Sequence, residues 1–145
     1  MNDDVEAVHA LLVAYAERMD RGDFAAVGEL FARATLRNGR DPATVVARGA
    51  DAITALLTRT IRLYDGLPGE QHLVTNVQID VDAERQRATA RSVYLVLMAA
   101  PGFPLQATGA GRYEDRFARD GAGWHFTDRL FVQDLQGDVS AHGTA

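Results

Sequence analysis

The chain has 145 residues, 47% hydrophobic and 24% charged, which is the composition of an ordinary globular protein and long enough for one domain to bury roughly two thirds of its unfolded surface. Fifteen basic residues against 20 acidic ones give a net charge of −5 and a pI near 5.3, so no positive field gathers phosphates and nucleic acid is not an expected partner. There is no cysteine and no lysine, which excludes disulfides, thiolate nucleophiles, zinc-finger sites and Schiff-base chemistry.

The start, Met1-Asn2-Asp3-Asp4, is acidic where a secretory signal is basic, so a cytoplasmic protein is expected. Asp3 and Glu6 suit a helix start, and Val8, Leu11, Leu12, Tyr15 and Met19 recur at helical spacing, which predicts a first helix over 4–20. Gly22 is placed to end it in a left-handed cap, and Asp23 to cap a second helix reaching Phe31. Short strands are expected over 34–38 and 44–48, on either side of Gly39-Arg40-Asp41-Pro42. A third helix follows Gly49-Ala50-Asp51, with Ile53, Leu56, Leu57, Thr60 and Leu63-Tyr64 as its buried stripe, until Gly66-Leu67-Pro68-Gly69 stops it.

From Gln71 the period changes to two. Strands are expected over 72–81, 88–100, 105–119 and 124–135, as an antiparallel meander with turns at Asp82-Ala83-Glu84-Arg85, Pro101-Gly102-Phe103-Pro104 and Asp120-Gly121-Ala122-Gly123. Residues 92–111 carry no charge, but the Pro-Gly-Phe-Pro turn divides them, so they are not a membrane span and no membrane partner is expected. Gly109 and Gly111 fall inside a strand, where glycine marks a bulge or bend. The domain is expected to occupy 1–135, with a loosely held tail at 136–145 rich in Gly, Ser, Ala and Thr. The architecture is α+β: three N-terminal helices packed in a strongly bent antiparallel sheet, a cone.

Leu12-Val13-Ala14-Tyr15-Ala16-Glu17-Arg18-Met19-Asp20-Arg21-Gly22-Asp23, Gln71-His72-Leu73-Val74-Thr75-Asn76, Gly111-Arg112-Tyr113-Glu114-Asp115 and Trp124-His125-Phe126-Thr127-Asp128-Arg129 together carry a resemblance. Over nearly its whole length the chain resembles the SnoaL-like group of the nuclear transport factor 2-like superfamily, in particular the branch of hexachlorocyclohexane dehydrochlorinase and bile-acid 7α-dehydratase. Scytalone dehydratase and ketosteroid isomerase are more distant relatives of the same fold. Enzymes of that branch pair an aspartate ending the first helix with a histidine opening a strand and use an arginine on the last strand. The resemblance places Asp20, His72 and Arg129 in those positions, and Tyr15 where the dehydratase has a tyrosine. Ala32-Arg33-Ala34 departs from the family pattern, in which an acidic residue commonly follows the second helix.

The chemistry agrees with that expectation. Removing a proton from carbon calls for a base titrating near neutrality, which histidine supplies, and a carboxylate on its other nitrogen fixes the tautomer. Asp20 ends its helix at the negative pole of the dipole, an unfavourable place that a cationic partner offsets; its alternatives are Arg18 and Arg21. His72 could instead be a core histidine, Arg129 a surface residue paired with Asp128 or Glu114, and Tyr15 plain helix core. By the period-two rule Arg129 shares a face with His125, Thr127 and Phe131. Asn76, Phe31, Leu56, Tyr94, Met98 and Phe131 are expected to line an apolar pocket. His9, His125 and His142 lack ligand spacing, so no metal is expected, and no cofactor.

The expected function is a cofactor-independent lyase, dehydratase, dehydrohalogenase or isomerase acting on a small apolar cyclic substrate. Two alternatives stand beside it: a non-catalytic domain that binds a small ligand, and a structural subunit resembling the β chain of ring-hydroxylating dioxygenases. Self-association into a dimer or trimer is expected in each case.

Overall fold

A computed structural model describes residues 3–144. Three helices, α1 (Asp3–Asp20), α2 (Phe24–Leu30) and α3 (Gly49–Thr60), pack against a sheet of β1 (Thr35–Asn38), β2 (Val45–Arg48), β3 (Glu70–Val81), β4 (Arg87–Ala100), β5 (Phe103–Asp120) and β6 (Gly123–Gln136). The strand order is β2-β1-β6-β5-β4-β3. All neighbours pair antiparallel except β1 and β6, which run parallel with Thr35 opposite Asp128 and Asn38 opposite Phe131. The sheet is therefore mixed rather than wholly antiparallel, because β1 arrives from the helical half and joins the last strand of the meander.

Val8, Leu12, Ala16 and Met19 are buried along one stripe of α1, as the spacing predicts. Val8, Leu12 and Met19 meet Phe24, Val27, Phe31 and Ile53 from the helical half and Phe117 and Phe126 from the sheet in the main core. At the end of α1 the main-chain N–H of Gly22 donates to the Met19 carbonyl and that of Asp23 to the Arg18 carbonyl, with Gly22 at φ 70°, a Schellman stop. Asp23 Oδ1 then accepts from the Ala26 N–H and starts α2. The third helix ends at Thr60, one turn earlier than its apolar stripe suggested, and leaves Leu63 and Tyr64 in the following turn. Thr60 and Ile61 are β-branched, and the main chain beyond them bonds the C-terminal segment instead of continuing the helix.

That segment is bonded to the end of α3. The N–H of Arg62 donates to the His142 carbonyl, the N–H of Thr144 to the Thr60 carbonyl, and the Tyr64 hydroxyl to the Ala141 carbonyl. Gly137 passes so near β5 that an added Cβ would stand 2.7 Å from the Ala107 carbonyl oxygen, which only glycine allows.

Register shifts bend the sheet and reset its alternation. The β3–β4 register slips between Thr75 and Gln78, with Asn76 at φ 51°. The β5–β6 register slips between Ala110 and Gly111 and again between Arg116 and Phe117. Gly111 is required for packing as well, since a Cβ there would lie 2.7 Å from the Tyr94 ring.

The first turn of α1 is tied to the far end of the sheet through Asp4, whose carboxylate accepts from Arg85, from Arg119 at 3.1 Å and from the Trp124 indole at 3.1 Å. The Arg85 hydrogen bond, then that of Trp124, holds the Asp4 carboxyl at about 2. The folded state therefore binds fewer protons there than the unfolded chain, whose Asp titrates near ~3.9. The stabilisation is complete above that value and disappears as pH falls towards the folded pKa. Thermal unfolding followed from neutral pH down to strongly acid pH should show the wild type losing more stability than Asp4→Asn over this interval, while equal losses would contradict the assignment.

Candidate active site

The C-cap that stops α1 sets Asp20 over the free edge of the sheet, where β3 begins. The N–H of His72 faces outward along this edge and donates to Asp20 Oδ1 at 2.9 Å. The same oxygen lies 2.7 Å from His72 Nδ1. One carboxylate oxygen thus satisfies an edge-strand donor and orients the ring. Because an ionised carboxylate only accepts, the hydrogen of the neutral imidazole is assigned to Nδ1, and the Nε2 lone pair is free. Arg18, one alternative partner for Asp20, instead donates to the Ala26 carbonyl at 2.8 Å.

His72, with its side chain 8% exposed, lines a cavity of about 350 Å³ between the helices and the concave face of the sheet. That is at the small end of ligand pockets, which span about 300–1,000 Å³. Tyr15, Phe31, Leu56, Tyr94 and Phe131 line it as well. Tyr15 stands edge-on to His72 with ring centres 6.2 Å apart, and Tyr94 stacks on Tyr113 at 4.7 Å. Burial pushes the Tyr94 phenol up to about 12 and raises Tyr113 well above its ordinary value, so both hydroxyls stay protonated and can donate hydrogen bonds.

The remaining expected pocket residues lie elsewhere. Asn76 is exposed and accepts from Thr75 Oγ1 at 2.9 Å; the bulge it occupies turns its side chain away, and Val77 and Ile79 take the inward positions beyond it. Met98 is 1% exposed and is not among the side chains that line the cavity. Arg129 is also absent from the lining. It is 1% exposed and forms a bidentate pair with Asp115, Nε to Oδ1 at 2.7 Å and Nη2 to Oδ2 at 2.9 Å. Neither Asp128 nor Glu114 pairs with it; Asp128 accepts from Arg37 at 2.8 Å. Its guanidinium carbon lies 3.8 Å from the Tyr113 ring centre and 4.2 Å from that of Tyr15. Burial opposes charge on both partners, yet the forked geometry is that of an ionised pair, and Asp115 keeps the Arg129 pKa above its usual range. His125 does not share the Arg129 face: the bulge at Thr127 resets the alternation, and His125 Nδ1 lies 3.0 Å from Arg33.

The lining residues that were not foreseen include a second carboxylate and imidazole. Glu70 is two positions before His72 on the same strand face, and its Oε1 lies 2.6 Å from Nδ1 of His142, which the tail brings back to the cavity. The period-two rule could have found Glu70, whereas nothing local to the tail sequence announces where His142 docks. A wider groove between α1 and β3, past Val5, His9 and Ile79, brings no paired titratable groups together. Among the described residues no group of three or more His, Cys, Asp or Glu side chains could hold a metal ion, and no helix is long and apolar enough to cross a membrane.

A mixed, bent sheet wrapped on three helices around a cavity is the nuclear transport factor 2-like, cystatin-like architecture. The chain belongs to the SnoaL-like domain family, which matches residues 2–130. Among solved structures it is similar to a nuclear transport factor 2-like protein with a cystatin-like fold from Novosphingobium aromaticivorans, at 24% identity and TM-score 0.75, covering 96% of this chain and 86% of that one. A protein from the same organism provisionally assigned as a scytalone dehydratase has 22% identity and TM-score 0.73, over 95% and 91%. ActVI-ORFA from Streptomyces coelicolor has 20% identity and TM-score 0.71, over 92% and 98%. No curated protein sequence matches the chain.

Proposed function

We propose that the chain is an acid/base enzyme needing no cofactor, a lyase such as a dehydratase or dehydrohalogenase, or an isomerase, acting on a small apolar cyclic molecule. The observation that carries this reading is the 2.7 Å contact of His72 Nδ1 with Asp20 at the wall of the cavity. In it, His72 Nε2 takes a proton from a substrate carbon. Asp20 holds the ring in the competent tautomer and faces the imidazolium as it forms. Tyr15, Tyr94 and Tyr113 offer hydroxyl donors to a developing oxyanion, and Phe31, Leu56 and Phe131 shape the apolar floor.

A domain that merely stores a ligand has no need of this contact, and the short separation favours catalysis over that alternative. The provisional assignment of one structural relative as a dehydratase agrees with the proposal.

The test is a panel of small cyclic ketones carrying a hydroxyl or halide β to the carbonyl, offered to the wild type and to His72→Ala. The variant is expected to lose roughly 10²–10⁴-fold in turnover, the usual contribution of a positioned base, with its melting temperature nearly unchanged. Full activity of His72→Ala on a compound the wild type converts would sink the proposal.

A further inference from the structure

The cavity holds a second carboxylate–imidazole pair. Glu70 is anchored in β3 with its side chain 3% exposed, and its Oε1 meets His142 Nδ1 at 2.6 Å. As at His72, the bonded nitrogen is Nδ1, and Nε2 makes no hydrogen bond to the described residues. Both imidazoles line the same space, and the strand positions of Glu70 and His72 lie only ~7 Å apart. Main-chain bonds to the end of α3 fix the tail that carries His142.

We propose that His142 is a second catalytic residue, the acid that protonates a departing hydroxyl, which narrows the reaction to loss of water from a β-hydroxy carbonyl compound. This inference rests on the proposed base role of His72. In the step, His72 Nε2 takes the proton from the carbon beside the carbonyl, and the C–H electron pair forms the new C=C bond. The C–O bond breaks with its pair going to oxygen, and the His142 Nε2–H proton moves to that oxygen, so water leaves. His72 ends as imidazolium and His142 as neutral imidazole, and one proton passed through solvent restores both. A halide leaves as a stable anion and needs no such donor.

The charge environment suits an acid. Glu70 is the carboxylate facing the ring, and its hydrogen bond raises the His142 pKa against the opposing effect of burial. From α3 onward, Arg62 approaches through its main-chain N–H while its guanidinium lies over Tyr64 at 5.0 Å. Asp138, within the tail, bonds the Ser140 N–H. The other titratable groups in the cavity wall are His72 and the tyrosines Tyr15, Tyr94 and Tyr113.

Imidazole nitrogen NMR of the full chain, with 3-hydroxycyclohexanone and with cyclohexanone as probes, tests this directly. The hydroxy ketone should shift the Nε2 signals of both His72 and His142, whereas cyclohexanone should shift His72 alone. His142→Gln should weaken the hydroxy ketone by about tenfold or more, the worth of one charged hydrogen bond, and leave cyclohexanone binding unchanged. Glu70→Gln, which keeps the chain's shape, should lower the His142 pKa and weaken only the hydroxy ketone. In water loss from the hydroxy ketone, followed as enone absorbance, His142→Gln should also remove the alkaline limb of the pH profile. A His142 signal that ignores the hydroxy ketone while His72 responds overturns this proposal and leaves the dyad standing; silence at both rings overturns both.

Discussion

Asp20→Asn is expected to lower turnover by on the order of 10³–10⁴-fold, the loss seen when the orienting carboxylate behind a histidine base becomes an amide. The reason lies in the two bonds made by one oxygen. The asparagine Oδ1 can still accept the His72 main-chain N–H, now 2.9 Å away, so the edge of β3 stays satisfied. The same Oδ1 faces Nδ1, so the amide nitrogen takes the place of Oδ2, which makes neither bond, and the uncharged amide oxygen holds the Nδ1–H more weakly than the carboxylate does. The charge that stabilised the imidazolium is lost as well. Kinetics on any substrate found for the wild type, with thermal unfolding alongside, separate the two effects: activity should collapse while stability changes little. Comparable turnover in Asp20→Asn would show that the ring needs no carboxylate.

Asp115→Asn is expected to destabilise the fold by roughly 3–5 kcal/mol, because it leaves the Arg129 cation buried without its counter-charge. Both side chains are fully enclosed, at 1% and 0% exposure. Arg129 Nη1 already lacks a hydrogen-bond partner among the described residues, so no spare acceptor replaces the lost one. The denaturation midpoint should fall with the slope unchanged. Replacing both residues, Asp115→Leu with Arg129→Met, should recover most of the loss, since an apolar pair of similar volume removes the desolvation cost along with the attraction. The pair also reaches the site: Arg129 lies against the Tyr15 ring, and Tyr15 stands edge-on to His72. A fall in stability for the double variant as large as for Asp115→Asn would contradict this account.

Much of this was legible along the chain where the signal is local. The α1 stripe, the Gly22 stop and the Asp23 cap depend on residues within one or two turns, and the helix-end position of Asp20 marks a carboxylate that needs a partner. His72 opening a strand, with the matching family residues, supplied that partner. Two of the misses, Asn76 and His125, share one cause. Parity along a strand holds only until a bulge, and the slips at Asn76 and Thr127 carried Asn76 out of the pocket and separated His125 from the Arg129 face. Arg129 was expected at the cavity surface, but its partner Asp115 sits on the neighbouring strand in a register that sequence does not display. The parallel β1–β6 pairing and the docking of residues 137–144 on α3 are contacts between distant segments, and His142 enters the cavity only through them.

The central claim is that Asp20 holds the His72 ring with its hydrogen on Nδ1 and its Nε2 lone pair turned into the cavity. Ring nitrogen chemical shifts of His72, recorded in the neutral form without any ligand, test it most directly. The account predicts a protonated Nδ1 and a bare Nε2 in the wild type, and loss of that preference in Asp20→Ala, which removes the accepting oxygen. A bare Nδ1 in the wild type, or the same tautomer in both proteins, would contradict it.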